Sequence, residues 1–525
     1  MKRIAIEIRE KDFTTGSTES TEGRILDPVD RGQNSVSSVP LWFIIRGLGL
    51  MLSLAACGGG GDGGDPASAS DIGTLAYVET ECRGTAEGFV ERQALRIRQG
   101  DREPVTVFET PAVSLPGQGY LCDFFMLGRY GGISVTREAF QAVAVSPDGA
   151  SVVFDVTDEF SVRPPLPLNL PPGQKGIFWV RADGTGLRPL GPPSRQRLFD
   201  FPSGGTVDYS SGVALSFSSD GRTIAFVDKV PGVDGHETNQ VVTVDVATGT
   251  RTQVTHLPPA VPPAGFSADA PTVFGPRFVD SRTISFYASA NPDGLNPEGI
   301  YLLMTTRTDG SGFEVPLPVP VALPGGTIEL RFVITGDRPQ ATLALVPGHP
   351  TNDPLIGGAR QEVGEVFVID EGKNILQLTN LRRQDTYDVL LDVDREHVYF
   401  TASADPLGTN PSYNCQMFSI DRLGSDLRQL TNFREIEHSV VGCSSSWLGL
   451  GCAVRGPLWQ DPRSRAVVFY SNCDPLGTNP NGGQIFAMQP DGSGLRQLTD
   501  SRGLVFEDGV TGELPGPWAY GPYGP

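Results

Sequence analysis

Near its C-terminal end the chain writes nearly the same sentence twice. Asp405-Pro406-Leu407-Gly408-Thr409-Asn410-Pro411 is followed by Gln416-Met417-Phe418-Ser419-Ile420-Asp421 and then by Leu427-Arg428-Gln429-Leu430-Thr431. Starting 69 residues later, Asp474-Pro475-Leu476-Gly477-Thr478-Asn479-Pro480 is followed by Gln484-Ile485-Phe486-Ala487-Met488 and by Asp491-Gly492-Ser493-Gly494-Leu495-Arg496-Gln497-Leu498-Thr499. Self-similarity at a fixed period marks a repeat architecture, whose units bury their apolar faces only by stacking on one another.

Two shorter signatures extend the repeat towards the N-terminus. In the first, a strand meets a tight turn and an apolar strand follows. Ala142–Val145 and Ser146-Pro147-Asp148-Gly149 lead into Ser151–Val156, and Leu215–Ser218 and Asp220-Gly221 lead into Thr223–Val227. The same pattern leads into Thr283–Tyr287, His397–Phe400 and Ala466–Tyr470. Asp and Pro initiate such turns and Gly tolerates positive φ, while β-branched and aromatic runs suit a buried strand. The second signature is a hairpin: Ile177–Val180 turns at Asp183-Gly184-Thr185-Gly186, and Ile300–Leu303 turns at Asp309-Gly310-Ser311-Gly312. Val241–Asp245 and Val366–Asp370 return through Arg251–Thr255 and Ile375–Thr379. With 64 Gly, 44 Pro and 19% charged residues, composition also favours short strands joined by turns.

Each unit thus holds about four antiparallel strands, and radial stacking of such sheets gives an all-β propeller. The repeated strings, Ser-Pro-Asp-Gly and Asp-Gly-Ser-Gly-Leu-Arg-Gln-Leu-Thr, resemble the WD-like repeats of TolB-type β-propellers over roughly residues 140–500. The resemblance is degraded between 313 and 360, and no counterpart of the small α/β domain of TolB itself is found. Seven blades are expected, with six as the alternative. The seventh would begin with Leu75–Glu79, Gln93–Arg98 and Pro104–Phe108 and receive its missing strand from the tail at Gly503–Glu507. Phe154, Phe226, Phe286, Phe400 and Phe469 occupy one place in the repeat, so all five are expected between blades.

The only strongly apolar stretch is Leu41–Cys57. After Arg46 it is too short to span a membrane, which takes about 20 residues, but suits the core of an export signal. Leu54-Ala55-Ala56-Cys57 resembles the bacterial lipobox, which implies a thiol-acylated Cys57 as the mature N-terminus. Gly58 follows, where Asp is the usual inner-membrane retention signal, so the outer membrane is expected in a Gram-negative source. The expected organisation is an extension with signal peptide at 1–56, a Gly-rich tether at 57–72 and a propeller at 73–525. Residues 1–40 are polar and precede the signal, so either the true start lies near residue 40 or the extension is unusual.

Lys and Arg total 41 against 61 Asp and Glu, a net charge of −20. An acidic surface repels phosphate backbones and argues against general nucleic-acid binding. Six cysteines remain after Cys57: Cys82, Cys122, Cys415, Cys443, Cys452 and Cys473. An even number in an exported chain permits disulfides; among many pairings Cys443–Cys452 is favoured by closeness in sequence and Cys82–Cys122 because both lie in the N-terminal region. No CxxC spacing suggests zinc.

A nucleophile elbow, HExxH, P-loop and dinucleotide fingerprint are all missing. His236, His256, His349, His397 and His438 are scattered without ligand spacing. The Asp-x-x-Gly-x-Asn-Pro loops offer oxygen atoms, making Asp405, Asn410, Asp474 and Asn479 weak calcium candidates, with Asn291–Pro297 as a weaker copy. The competing reading is an Asx-turn that caps backbone N–H groups. No catalytic residue and no cofactor are expected. The expected function is a lipid-anchored envelope module that binds a basic or neutral protein partner. The alternative is a propeller enzyme, a polysaccharide lyase or hydrolase, working at the central channel.

Overall fold

The structure, a computed structural model, describes residues 72–116 and 140–520, apart from intervening segments of which 158–169, 196–214, 259–272, 329–340, 351–359, 434–442 and 444–453 are the longest. Expectations for Cys57, the signal and the tether to residue 71 lie outside the described residues, as do those for Cys122, His438 and Asn479.

Six sheets repeat one plan, with strands antiparallel and in chain order. Blade 1 is Phe140–Val145, Ser151–Val156, Gly176–Arg181 and Arg188–Gly191. Blade 2 is Ser216–Phe217, Thr223–Pro231, Glu237–Asp245 and Arg251–Gln253. Blade 3 is Val273–Phe278, Thr283–Ala288 and Leu302–Arg307, with a single bridge from Thr305 to Glu314 in place of a fourth strand. Blade 4 is Ala341–Pro350, Arg360–Ile369 and Ile375–Gln377. Blade 5 is Thr386–Leu391, His397–Ala402, Gln416–Asp421 and Arg428–Gln429. Blade 6 is Val454–Gln460, Val467–Ser471, Gln484–Met488 and Arg496–Gln497. This is the arrangement that the TolB-type repeats imply.

The expected seventh blade is not a regular one. Thr74–Thr85, Gly88–Gln99, Val105–Glu109 and Val113–Pro116 join three tail strands in a seven-stranded composite sheet. Among the described residues six blades follow the repeat, four with four strands and blades 3 and 4 with three, and six is the alternative number expected from the sequence. The tail also works differently from expectation. Leu504–Phe506 pairs parallel with Cys82–Gly84, whereas Trp518–Tyr520 pairs antiparallel with Ala76–Val78 and takes the first-strand place. Thr74–Thr85 is long enough for both segments to share one edge.

The five repeat phenylalanines are buried: Phe154, Phe286, Phe400 and Phe469 at 0% exposure and Phe226 at 1%. Each belongs to a cluster that its own sheet shares with the preceding one. Phe154 packs with Leu95, Ile97 and Phe108 of the composite sheet, Phe226 with Val153 and Ile177 of blade 1, and Phe286 with Val227 and Val241 of blade 2. Phe400 packs with Val366 and Val368 of blade 4, and Phe469 with Tyr399 and Met417 of blade 5. On the neighbouring strand Phe178, Phe418 and Phe486 lie directly opposite and stack, with centroids 5.4, 5.5 and 5.9 Å apart. In blade 4 the corresponding place, opposite Phe367, holds Thr342.

A buried polar clamp ties the outer edge of the repeat to its third strand. In blade 5 the Thr431 hydroxyl accepts from Met417 N (2.8 Å) and donates to Gln416 Oε1 (2.7 Å). Gln416 also takes Phe433 N on Oε1 and donates Nε2–H to the Phe433 carbonyl. Blade 2 repeats this with Gln240, Thr255 and Leu257, and blade 6 uses Gln484 and Thr499. Gln253, Gln377, Gln429 and Gln497 each donate to the carbonyl of the Thr two residues on. The Gln-x-Thr string is thus the hydrogen-bond circuit of a blade edge.

Blade 4 places Glu365 where blades 2, 5 and 6 have Gln. Its Oε2 accepts from the Thr379 hydroxyl and Leu381 N, and its Oε1 from Arg382 N. Arg382 has φ 54° and presents an N–H where blades 2 and 5 present a carbonyl. A side chain that accepts on both oxygens is required there. Glu365→Gln is therefore expected to destabilise the protein by about 1–3 kcal/mol, although it restores the residue of blades 2, 5 and 6, because its NH2 would face the Arg382 N–H. Chemical unfolding checks this, and an unchanged or raised midpoint would contradict it.

Candidate functional site

Because the strands alternate in direction, every sheet has two different ends. One end holds the turns between strands one and two and between strands three and four, all short. Ser146 Oγ donates to Asp148 Oδ1 (2.6 Å) and accepts from Ser151 N (2.9 Å), with Gly149 at φ 68°. Ser218, Asp220 and Gly221 repeat the pattern. At the outer turns Asp183, Asp309 and Asp491 accept the backbone N–H and hydroxyl of Thr185, Ser311 and Ser493. Those hydroxyl hydrogen bonds, favouring the charged form, hold the carboxyls below their usual acidity range. These aspartates are turn-makers.

The other end carries the long connections. Those between strands two and three run over 157–175, 289–301, 403–415 and 472–483, and those between blades over 192–215, 254–272 and 430–453. The Asp-x-x-Gly-x-Asn-Pro segments lie here, on blades 3, 5 and 6. Asn410 N donates to Asp405 Oδ1 (2.7 Å), and Asn410 Nδ2 donates to the carbonyls of Ala404 (2.9 Å) and Asn414 (2.8 Å). In the weaker copy Asn296 N donates to Asn291 Oδ1 (2.6 Å), and Asn296 Nδ2 to the Ala290 carbonyl (3.1 Å). This is Asx-turn geometry. Asp405 and Asn410 come together in it; Asp474 lies on the next blade. Among the described residues no group of three or more His, Cys, Asp or Glu is placed to hold a metal ion.

The loops are also tied outward and expose apolar groups. Thr409 Oγ1 donates to Gln429 Oε1 (2.6 Å) and Thr478 Oγ1 to Gln497 Oε1 (3.1 Å). Leu407 and Leu476, at matching places on adjacent blades, are 45% and 42% exposed. The two copies keep this leucine although it fills no core.

Among the described residues the histidines do not converge. His236 is exposed in the loop between the second and third strands of blade 2. His256 Nδ1 lies 3.1 Å from Gln253 Nε2. His397 sits at the turn end, 3.4 Å from Asp392 Oδ2. His349 falls on blade 4.

The expected Cys443–Cys452 pairing is corrected. Cys443 bonds to Cys415, at a sequence separation of 28. The bond links the connection after blade 5 to the entry of that blade's third strand, so folding sets the partner and nearness along the chain does not. Cys473 is also disulfide-bonded.

The sequence reading missed a charged cluster between blades 1 and 2, at the long-connection end. Asp155 and Asp228 are 1% and 4% exposed. Asp155 accepts from the Ser194 hydroxyl and from Ser194 N at 3.2 Å. Asp228 accepts from Arg195 N and Lys229 N, both at 2.9 Å, and pairs with Arg251 Nη1 at 3.0 Å. The Arg251 guanidinium lies over the Phe226 ring, 5.0 Å from its centroid, and bonds the Pro192 carbonyl. Burial pushes the Asp155 carboxyl up to about 7, against the opposing pull of Ser194 and Arg251. The sequence signal was an acid inside an apolar strand, as in Phe154-Asp155-Val156.

No family model matches the chain, and no curated protein matches it. Similar solved structures include TolB from Acinetobacter baumannii, at 14% identity over 85% of this chain and 82% of that one, TM-score 0.32. Another is an oligogalacturonate lyase from Vibrio parahaemolyticus, at 9% identity over 77% and 89%, TM-score 0.39. A third is the β-propeller domain of the Trilobed protease from Pyrococcus furiosus, at 9% over 82% and 87%, TM-score 0.32. The fold assignment rests on the blades themselves.

Proposed function

We propose that the chain is a lipid-anchored bacterial envelope propeller that binds a protein partner with its long-connection end. The carrying observation is the asymmetry of the sheets. The turn end consists of short aspartate turns, while the other end carries the long connections and the matching loops that expose Leu407 and Leu476. Connections set on a rigid scaffold are where binding residues concentrate. A net charge of −20 favours a basic or neutral partner. The described polar motifs serve the fold: the Gln-x-Thr clamp, the Ser–Asp turns and the Asx-turns.

Export is supported by two independent features. Leu54-Ala55-Ala56-Cys57 and the glycine run after it suit a lipobox and tether. The disulfide between Cys415 and Cys443 suits an oxidising compartment. Mass spectrometry of the mature protein is expected to find a diacylglyceryl group on Cys57, and Cys57→Ser to leave the membrane fraction. A mature N-terminus elsewhere, or a Cys57→Ser protein still in the membrane, would overturn the anchor.

Among the described residues at this end, burial alters the acidity of two groups in that cluster: it lowers Arg251, which stays a cation paired with Asp228, and it raises Asp155. At 1% exposure and bonded to Ser194, Asp155 is out of reach of a substrate, so the binding reading is preferred to the enzyme reading.

A further inference from the structure

We propose that the seam between blades 1 and 2 is a proton-operated latch, closed while Asp155 carries a proton and released when Asp155 ionises. The inference is independent of what the propeller binds and rests on how charge is shared in the seam. Blade 2 contributes Asp228 and Arg251, which pair with each other at 3.0 Å. The segment leaving blade 1 contributes Ser194 and Arg195. The Arg195 backbone N–H is held by Asp228 at 2.9 Å, and its guanidinium reaches the Lys229 carbonyl and, at 3.4 Å, Glu237. Three carboxyls therefore meet two guanidiniums. Asp228 and Glu237 have those cations, and Asp155, the most buried of the three, has the Ser194 amide and hydroxyl. With Asp155 neutral the charges of the cluster balance. With Asp155 ionised, a second buried negative charge lies near Asp228 without a cation of its own.

Ser194 and Arg195 are adjacent, and one is held by Asp155 of blade 1 while the other is held by Asp228 of blade 2. Whatever displaces Ser194 therefore acts on the link between the two sheets. A buried carboxylate lacking a cation is relieved by opening to water. The sign follows from linkage. The closed seam holds its proton up to about pH 7, whereas an opened, hydrated Asp loses it near pH 3.9. Opening thus becomes easier as pH rises from about 4 to about 7 and levels off above that, by roughly tenfold per pH unit within the window.

Hydrogen exchange read by mass spectrometry tests this on the full mature chain. Opening constants, corrected for intrinsic exchange, are measured from pH 5 to 8 for peptides covering Arg188–Arg195 and, as reference, Arg428–Phe433 of blade 5. The expected result is a rise of roughly tenfold per pH unit up to about pH 7 in the first peptide, with no such rise in the second. Asp155→Asn, which keeps the shape and cannot ionise, is expected to abolish the rise, and His236→Gln, the control for the imidazole beside Glu237, to leave it. A flat profile in the unaltered protein would overturn the latch without need of any variant. So would an identical rise in Asp155→Asn, or a rise shared by blade 5.

Discussion

Phe469→Ala is expected to lower the free energy of unfolding by about 3–5 kcal/mol, among the largest effects of any single substitution in this chain. The ring is fully buried, stacks on Phe486 of the next strand and fills the space against Tyr399 and Met417 of blade 5. Removing it forfeits the transfer energy of a phenyl group and leaves a cavity that two stiff sheets cannot close. Phe154→Ala and Phe400→Ala are expected to behave alike, since they hold the same place at other seams. Leu423, 77% exposed at a turn, is the comparison, and Leu423→Ala should stay within about 0.5 kcal/mol. Denaturant titration measures all four. Losses below about 1 kcal/mol at the phenylalanines would show that these rings do not join the blades.

Replacing both Cys415 and Cys443 by alanine is the second large effect. The bond closes a loop with 28 residues of separation, for which loop entropy gives roughly 3–4 kcal/mol. Both cysteines are buried, at 0% and 3% exposure, so a reductant is expected to act only after local opening. The double variant should unfold at lower denaturant and become insensitive to reductant at this site. An unchanged midpoint would mean that other contacts alone fix the connection after blade 5.

Much of this fold is readable from local patterns, and the reason is physical. Apolar strands such as Val152–Val156 and Val467–Tyr470 announce themselves by β-branched and aromatic runs, and Asp–Gly turns fix where they end. Asx-turn geometry was likewise foreseeable from the Asp-x-x-Gly-x-Asn-Pro spacing. What depends on distant partners was not. In blade 4 the hairpin of Val366–Asp370 and Ile375–Thr379 is legible, but the strand before it is not, because Thr342 stands at the phenylalanine place. Trp518–Tyr520 has too little pattern to identify it as the strand joining Ala76–Val78. The partner of Cys443 depends on which connection passes over which strand. Asp155 is an acid in an apolar run until Ser194 and blade 2 are set beside it.

The central claim is that the two ends of the propeller differ in kind, one built of turns and the other used for binding. Photoreactive side chains at Leu407 and Leu476 on one end, and at Leu423 and Arg222 on the other, test it directly in intact cells. Adducts to one envelope protein from Leu407 and Leu476, and none from Leu423 or Arg222, are predicted. Adducts from the turn end alone, or no adduct from either end while Cys57 remains anchored, would contradict it.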